Sequence, residues 1–523
     1  MESRRVVVRG SAIGRCALRS AAILVALLLA APLISAPGHP GAAADKVTLT
    51  LGVDQEIVGL DPNKVTAFSS FRRIDLLYNK LVTYDAGLRV VGDLAESWET
   101  PDARTYVFHL RKGVRFHDGT EMTSEDAAFT IQRILDPQTA SPGRSYLEPV
   151  ESVTAPDRYT VRLHLTYPLA SLLSGLASGN AAIVEKAAVL RSGDLQKTEA
   201  GTGPFSLAEW VPDNFMRLSR NPNYFKRGLP KVDEVIFRVI PEQSSLLAGL
   251  RTRSLDVATI SDGSVVKQAL TDRSLVVEQS PSLNLRIFSF NTTRPPFTDA
   301  RVRDAIAFAI DRQAIVNAAE FGLGAVSGPI PAPDTLWALP VGQFPEYHPD
   351  PDRARRMLQE AGAAGASFGI VASPTYEGGL AVAQVIQSQL RAVGLNPTIE
   401  NIEWGTYINR WVKRDYDTMV ELRGGDPDPD RFLYRTFYST GAVNNFLFKD
   451  AAVDKLLERG RVHVDVAERQ PIYHDLEKLL VRDAPAVFLY TPLETQVRQT
   501  SVKGFRLIPT GALNYVEETS VER

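Results

Sequence analysis

Hydrophobic and polar positions alternate along the chain with two different periods, which predicts a mixture of strands and helices. Residues 46–53 (KVTLTLGV) alternate polar and apolar side chains, as a half-buried strand does. Residues 71–82 (FRRIDLLYNKLV) instead space their apolar side chains as a helix does. The same criteria predict strands at 232–240, 282–293, 397–403, 416–422 and 487–492 and helices at 244–255, 352–361, 380–393 and 404–412. This alternation indicates an α/β fold.

The stretch 105–135 concentrates charged residues, yet local structure accounts for each of them. YVFHL (106–110) reads as a strand, and VRFH (114–117) is predicted to be the strand that returns beside it. Asp118-Gly119 is a tight-turn pair. Thr123 is placed as the N-cap of the following helix, with Asp126 as the acid of a capping box. A metal or catalytic role for His117 and Asp118 is therefore disfavoured.

The N-terminus has the three parts of a secretory signal peptide. Five arginines in residues 1–20 precede a 14-residue apolar run (21–34), and Ala42–Ala44 supply small residues for cleavage. We expect cleavage near Ala44 and a periplasmic protein; an uncleaved membrane anchor is the alternative. Ser3-Arg4-Arg5 resembles a twin-arginine export signal, and the general secretory route stays open. Cys16 lies before the apolar run, so no lipid anchor is indicated.

Composition excludes several classes of function. The chain has 523 residues, which suggests two to four domains. Cys16 is its one cysteine, so the cleaved protein would have neither a disulfide nor thiolate chemistry. Removal of residues 1–44 would leave 53 basic and 60 acidic residues, a net charge of −7. An acidic exported protein without a basic stripe is a poor binder of nucleic acid.

Motifs for catalysis or metal binding are absent or out of context. Gly365–Gly369 matches G-x-S-x-G, but a strand follows Ser367 where a nucleophile elbow needs a helix. Asp426, Asp428 and Asp430 suggest a calcium loop, but the glycine and glutamate of an EF-hand are missing. We predict no catalytic residue, no metal and no cofactor. The acidic run is either a solvated loop or holds an acid that faces a cationic ligand group.

Several long, ordered blocks carry a resemblance to a known family. They are AESWETPDARTYVFHLRKGVRFHDGTEMTSEDAAFTIQRILDP (95–137), GTGPFSLAEW with RNPNYF and LPKVDEVIFRVI (201–240), FNTTRPPFTDARVRDAIAFAIDRQAIV (290–316), YHPDPDRARRMLQEAG (347–362) and GGDPDPDRF (424–432). With these blocks the chain resembles the extracellular solute-binding proteins of family 5, the dipeptide- and oligopeptide-binding type of ABC importers. The blocks span nearly all of the chain after residue 44.

The resemblance implies a fold of the periplasmic binding protein type II kind, which closes around its ligand like a flytrap. One discontinuous lobe would comprise 45–78, 199–285 and 495–523, a small extra domain 79–198, and the second lobe 286–494. The crossovers near 285 and 494 would form the hinge. Ligand would stabilise the closed form, which the membrane permease recognises.

The resemblance also implies a function. The protein would be a monomeric, non-enzymatic periplasmic component of an ABC importer that delivers a peptide or similar small polar solute to permease subunits. Relatives that bind opines, glutathione, sugars or metal chelates leave a non-peptide ligand as the alternative. A secreted hydrolase is a remote alternative, because no nucleophile–base pair or metal triad is present in context.

One aspartate of the family's W-x-x-D-Y-x-D-P-D-like loop pairs with the peptide ammonium. Alignment forward from Trp404 places Asp426 there, and alignment backward from Phe432 places Gly425 there; we favour Asp426. The family often has tryptophan just before this aspartate, where this chain has Leu422-Arg423-Gly424. Arg423 would either bind a ligand carboxylate or pair with Asp426.

The resemblance implies further positions in the ligand pocket. For each of them an ordinary role in the core or at the surface is an equally open alternative. They are Thr66, Ala67, Phe68, Ser69, Tyr146, Thr259, Ser261, Trp404 and Tyr407. Aromatic residues among them would supply apolar, shape-tolerant walls.

Overall fold

The computed structural model describes residues 46–373 and 378–522. The predicted signal peptide and its cleavage near Ala44 lie outside the described residues. Lys46–Arg523 forms one compact unit. In the part of the chain that is described, no helix is both long and apolar enough to cross a bilayer.

The first part of the unit mixes short helices with strands that are mostly antiparallel, although β1 pairs in parallel with β10 and β11. Its elements are β1 (Thr48–Val53), α1 (Phe68–Leu77), β2 (Val82–Tyr84), β3 (Val90–Gly92), β4 (Ala95–Asp102), β5 (Thr105–Leu110), α2 (Ser124–Leu135), β6 (Val150–Asp157), β7 (Thr160–Leu165), α3 (Leu172–Ala177), α4 (Lys186–Ser192), β8 (Phe205–Val211), β9 (Phe215–Arg220), β10 (Glu234–Val239), α5 (Gln243–Arg251), β11 (Val257–Thr259), α6 (Gly263–Leu270) and β12 (Leu275–Pro281).

The second part is richer in helix. Its elements are β13 (Leu285–Phe290), α7 (Ala300–Ala309), α8 (Arg312–Ala319), β14 (Gly324–Val326), α9 (Pro351–Glu360), β15 (Ser367–Ala372), α10 (Gly379–Ala392), β16 (Asn396–Asn401), α11 (Trp404–Lys413), β17 (Thr418–Arg423), α12 (Pro429–Phe437), α13 (Ala451–Val462), α14 (Val466–Asp483), β18 (Ala486–Gln499), β19 (Val502–Lys503) and β20 (Ser520–Val521). Most strands and helices predicted from periodicity are confirmed to within a few residues at their ends; α1 ends five residues before the predicted 82, and β18 runs seven residues beyond the predicted 492.

One long strand, β18, joins the two halves of the main sheet. The sheet runs in the order β16-β15-β17-β13-β18-β11-β1-β10-β9-β8, with β12 and β14 also paired to β18. The first half of β18 lies beside β13, with Phe288 opposite Val487. From Leu493 onward it lies beside β12, with Val277 opposite Val497. The chain therefore passes between the sheet halves along β18 and through the short β12–β13 connection.

Helices cover both faces of the half that contains β13 and β18. Because successive side chains on a strand point to opposite faces, Phe288 and Leu489 enter a core shared with α7, α8 and α10. Ile287 and Phe488 enter a separate core shared with α12, α13 and α14. Layers of helix on both sheet faces confirm the predicted α/β class. The division into two lobes and an extra domain stays a prediction.

The region 95–165 contains a sheet of its own, in the order β4-β5-β7-β6. The prediction that 114–117 returns beside β5 is wrong, because β4 and β7 flank that strand. Instead, 114–122 folds on itself: Met122 N donates to Val114 O, and Gly119 N donates to Phe116 O at the predicted turn.

The capping box of α2 is confirmed. The backbone N–H of Thr123 donates to Asp126 Oδ2 at 3.0 Å, and both halves of the reciprocal arrangement are present. The box satisfies N–H groups that the first turn of a helix leaves without partners.

Candidate functional site

A cavity of about 300 Å³ lies beside the two connections between the sheet halves. Ser282–Asn284 from the β12–β13 connection and Glu494 from β18 contribute to its wall, together with α1, the 424–427 loop and the 508–512 segment. Its volume is at the lower end of the range for small-molecule sites. An adjoining cavity of about 170 Å³ shares Phe68, Arg72 and Glu494 with it.

The three aspartates of the 424–430 loop form ion pairs with arginines and are largely withdrawn from solvent. The interpretation of this segment as a solvated acidic loop is therefore wrong. Asp428 accepts two hydrogen bonds from the Arg469 guanidinium, at 2.7 and 2.9 Å. Asp430 is 1% exposed and accepts from Ser171 Oγ at 2.7 Å. Proline and aspartate alternate here because Asp428 is the N-cap of α12 and Pro429 its first residue.

Asp426 is the acid of this loop that lines the main cavity. Its Oδ1 accepts from Ser174 Oγ at 2.7 Å and from Asp428 N at 3.1 Å, and its Oδ2 lies 2.7 Å from Arg431 Nη1. Burial raises the pKa of the Asp426 carboxyl, and the nearby Arg431 guanidinium lowers it by less. Arg431 therefore offsets only part of the cost of burying the negative charge of Asp426.

Arg423 does not pair with Asp426, and that prediction is wrong. Arg423 is 7% exposed, and its Nη2 lies 2.8 Å from Glu421 Oε2. Residues two apart on β17 share a face, and both side chains contact Trp411: its Nε1 donates to Glu421 Oε2 at 2.7 Å, and the Arg423 guanidinium lies 5.2 Å from its ring centroid. Arg423 is not among the residues that line the cavities beside Asp426.

Gly425, the alternative to Asp426, lines the cavity through its backbone. A Cβ atom at this position would lie 2.0 Å from the Leu283 carbonyl oxygen. The 424–427 loop can therefore approach the β12–β13 connection only because residue 425 has no side chain.

The other predicted positions divide into two groups. Phe68 lines both cavities, while Ser69, Thr259 and Ser261 line the smaller one. Tyr146 lies in a third cavity beside Asp426, with the Arg431 guanidinium 3.7 Å from its ring.

Four predicted positions lie elsewhere. Thr66 and Ala67 precede α1 and line neither of the cavities that Phe68 borders. Trp404 and Tyr407 stack on each other at 5.3 Å in a small core with Trp411. Tyr407 OH donates to Val420 O at 2.8 Å, which fits a structural role.

Sequence reasoning missed three cations that line the cavity and two of their three partners, Glu494 and Asp75. Arg72 pairs with Glu494, Lys80 Nζ lies 3.2 Å from Asp75 Oδ1, and Arg431 pairs with Asp426. Arg72 lies in α1 and Lys80 just after it. The helical periodicity of this segment predicted a helix and gave no indication that these two side chains line a cavity. Arg431 directly follows the acidic run, so its adjacency to three aspartates was the available clue.

Two motifs set aside by sequence are structural in this fold. Ser367 begins β15, so the strand follows the serine as predicted. The His117 ring contacts Glu199 Oε2 at 2.5 Å and Gly203 O at 3.0 Å, which joins the 114–122 turn to the segment before β8. Over the described residues, no group of three or more histidine, cysteine, aspartate or glutamate side chains is arranged to hold a metal.

Comparisons with known proteins identify the class. The family model described as "Bacterial extracellular solute-binding proteins, family 5 Middle" matches residues 89–444, more than half of the chain. The fold matches that of solved periplasmic binding proteins. The chain belongs to family 5 of the bacterial extracellular solute-binding proteins.

Individual relatives cover nearly the whole chain. A probable di/tripeptide-binding protein 5 of Pseudomonas aeruginosa is 30% identical over 93% of this chain and 97% of its own. The ABC transporter-associated periplasmic binding protein DppA of Helicobacter pylori, in complex with the peptide STSA, matches with a TM-score of 0.78 and 27% identity over 91% of this chain and 99% of its own. The binding protein AgaA of A. tumefaciens R10, in complex with agropinic acid, matches with a TM-score of 0.77 and 27% identity over 91% and 99%.

Proposed function

We propose that this protein is the periplasmic substrate-binding component of an ABC importer and that its ligand is a short peptide. The relatives support this proposal, because similar proteins are named for di- and tripeptides and one of them holds the peptide STSA. In this proposal the protein is not an enzyme. It binds the ligand between two lobes and delivers it to membrane permease subunits.

The observation that carries the proposal is the partly compensated carboxylate of Asp426 in the cavity wall. A carboxylate has about four acceptor positions, and Ser174, Asp428 and Arg431 occupy three of those of Asp426. One position on Oδ2 is left for a ligand donor. Because burial outweighs Arg431 in raising the pKa of Asp426, a second cation such as a peptide ammonium would further stabilise the charged form.

Closure of the two lobes follows from where the chain crosses between them. We place the hinge at the β12–β13 connection and at the middle of β18, with 45–78, 199–285 and 495–523 in one lobe, 79–198 as the extra domain and 286–494 in the other lobe. The cavity borders both crossings, so a ligand there contacts both lobes. Contacts made only in the closed form would stabilise that form.

Replacement of Asp426 by asparagine tests the ammonium site. Isothermal titration with L-alanyl-L-phenylalanine should show at least a tenfold loss of affinity, since a charge-assisted hydrogen bond contributes ~1.5–3 kcal/mol. Asp350→Asn is the matched control, because Asp350 caps α9 away from the cavity and asparagine also caps well. Unchanged affinity of Asp426→Asn would remove this residue from the ligand site.

Mass spectrometry of small molecules released from the exported protein tests the ligand class. A recovered peptide would support the proposal. A recovered sugar, metal chelate or other non-peptide solute would keep the binding-protein function and contradict the peptide assignment.

A further inference from the structure

Three cations line the main cavity, Arg72, Lys80 and Arg431, and each of them pairs with a carboxylate. Arg431 Nη1 contacts Asp426 Oδ2 at 2.7 Å and also donates to Ser174 O at 3.0 Å. Arg72 pairs with Glu494 and donates to Thr259 Oγ1 at 3.2 Å. The Nε atoms of both arginines are enclosed by protein without a partner, so a ligand cannot reach them.

Lys80 differs from the two arginines. Among the described residues, the one hydrogen bond of its Nζ is to Asp75 Oδ1 at 3.2 Å. The side chain is 10% exposed and lines the cavity, and its backbone N–H is held by Asp93 Oδ2 at 2.9 Å. Asp75 is itself engaged, because its Oδ2 accepts from Leu513 N at 3.2 Å.

An ammonium group has three N–H donors on one atom, so two donors of Lys80 are left for the cavity. A buried charged donor without a partner is costly, and an anionic ligand group would satisfy it. The single tetrahedral nitrogen can turn both donors toward a ligand while it keeps Asp75.

We infer that Lys80 binds the carboxylate of the ligand and thereby selects solutes that carry an acid group. This inference rests on the proposed function, and it adds an anion contact to the ammonium contact at Asp426. Together the two contacts would select a ligand with both charges. A purely structural role, in which Lys80 only holds Asp75 and the 513 segment, is the competing interpretation.

The test combines a change in the protein with a change in the ligand. L-alanyl-L-phenylalanine and its C-terminal amide are titrated calorimetrically into wild type, Lys80→Met and the control Lys226→Met. Lys226 also pairs with a carboxylate, Glu517 at 2.8 Å, but does not line the cavity. We expect wild type and the control to bind the acid ~10–100-fold more tightly than the amide. Lys80→Met should bind the two peptides equally, at the level of the amide.

Loss of Lys80 leaves Asp75 buried without its cation, which can impair folding. The double variant Asp75→Asn/Lys80→Met removes both charges, and its asparagine oxygen can still accept from Leu513 N. It should likewise lose the preference for acid over amide.

Two results would overturn the inference while leaving the proposed function intact. One is equal binding of acid and amide by wild type; the other is an equal loss for both peptides in the Lys80 variants, which is the structural outcome. Failure of wild type to bind either peptide would refute the peptide function, and the inference with it.

Discussion

Glu477 makes the stability of this protein depend on pH in a direction that can be measured. It lies on α14, is 0% exposed, and accepts hydrogen bonds from Leu339 N at 2.8 Å and Ile330 N at 3.3 Å. Burial raises the pKa of its carboxyl from an ordinary value of 4.5 to about 8, and the two backbone donors lower it by less. At neutral pH the folded protein therefore holds a proton here that the unfolded chain releases.

The sign follows from proton linkage. Because the folded pKa lies above the unfolded one, the contribution of Glu477 to stability is complete below pH 4.5 and is lost as pH rises to about 8. Each pKa unit corresponds to ~1.4 kcal/mol, so the free energy of unfolding should fall by ~4 kcal/mol between pH 5 and 9 through this residue. Burial also raises the pKa of Asp334 to about 8, which adds a loss in the same direction.

Glu477→Gln removes the titration of this site and leaves that of Asp334. At pH 5 the variant should be less stable than wild type by ~1–3 kcal/mol, because its amide NH₂ faces one of the two backbone donors. As pH rises, wild type loses its advantage, so the difference should reverse by pH 9. Urea unfolding followed by tryptophan fluorescence at pH 5, 7 and 9 measures this change.

The matched control is Glu360→Gln, at an exposed glutamate of α9. Its stability should follow that of wild type at every pH. A difference between wild type and Glu477→Gln that stays constant from pH 5 to 9 would refute the reasoning. It would mean that the two backbone donors keep Glu477 charged despite its burial.

Three further predictions concern folding and the site. Arg133→Met should lower the free energy of unfolding by ~3–5 kcal/mol in urea titrations, because it leaves Asp61 buried without its two-fold contact at 2.9 and 2.6 Å; an effect below 1 kcal/mol would contradict this. Ser174→Ala should weaken L-alanyl-L-phenylalanine binding ~2–10-fold, since one hydrogen bond that positions Asp426 is lost. Expression of 45–523 in the cytoplasm should yield protein with the circular dichroism and melting temperature of the exported form, because no cysteine follows Cys16; an unfolded product would argue against this.

Local patterns predicted the elements well, and the failure at 114–117 shows their limit. Period two and period 3.6 report which side chains are buried, and this holds for β1 and α1 whatever lies beside them. Periodicity does not indicate which strands pair with each other in a sheet. Turn-forming residues on both sides of 114–117 allowed two partners, and the backbone closed on 120–122 while β4 and β7 took the edges of β5.

The sequence predicted only part of the candidate site, because the contacts that complete it are not local in the sequence. Asp426 and Phe68 were found because a family pattern covers them. Arg423 was chosen over Arg431, although both lie within five residues of Asp426. The strand β17 turns Arg423 toward Glu421, whereas the first turn of α12 brings Arg431 back to the carboxylate.

The amino-acid sequence by itself determined the α/β class, the features of an export signal, the absence of cysteine chemistry after Cys16, and a resemblance to a family of binding proteins. The tertiary structure decided which charges meet in the cavity. Arg72 and Glu494 are 422 positions apart, and Ser174 and Asp426 are 252 apart. The physical reason is that side-chain periodicity is local, whereas a binding cavity is made by contacts between segments that only the packed fold brings together.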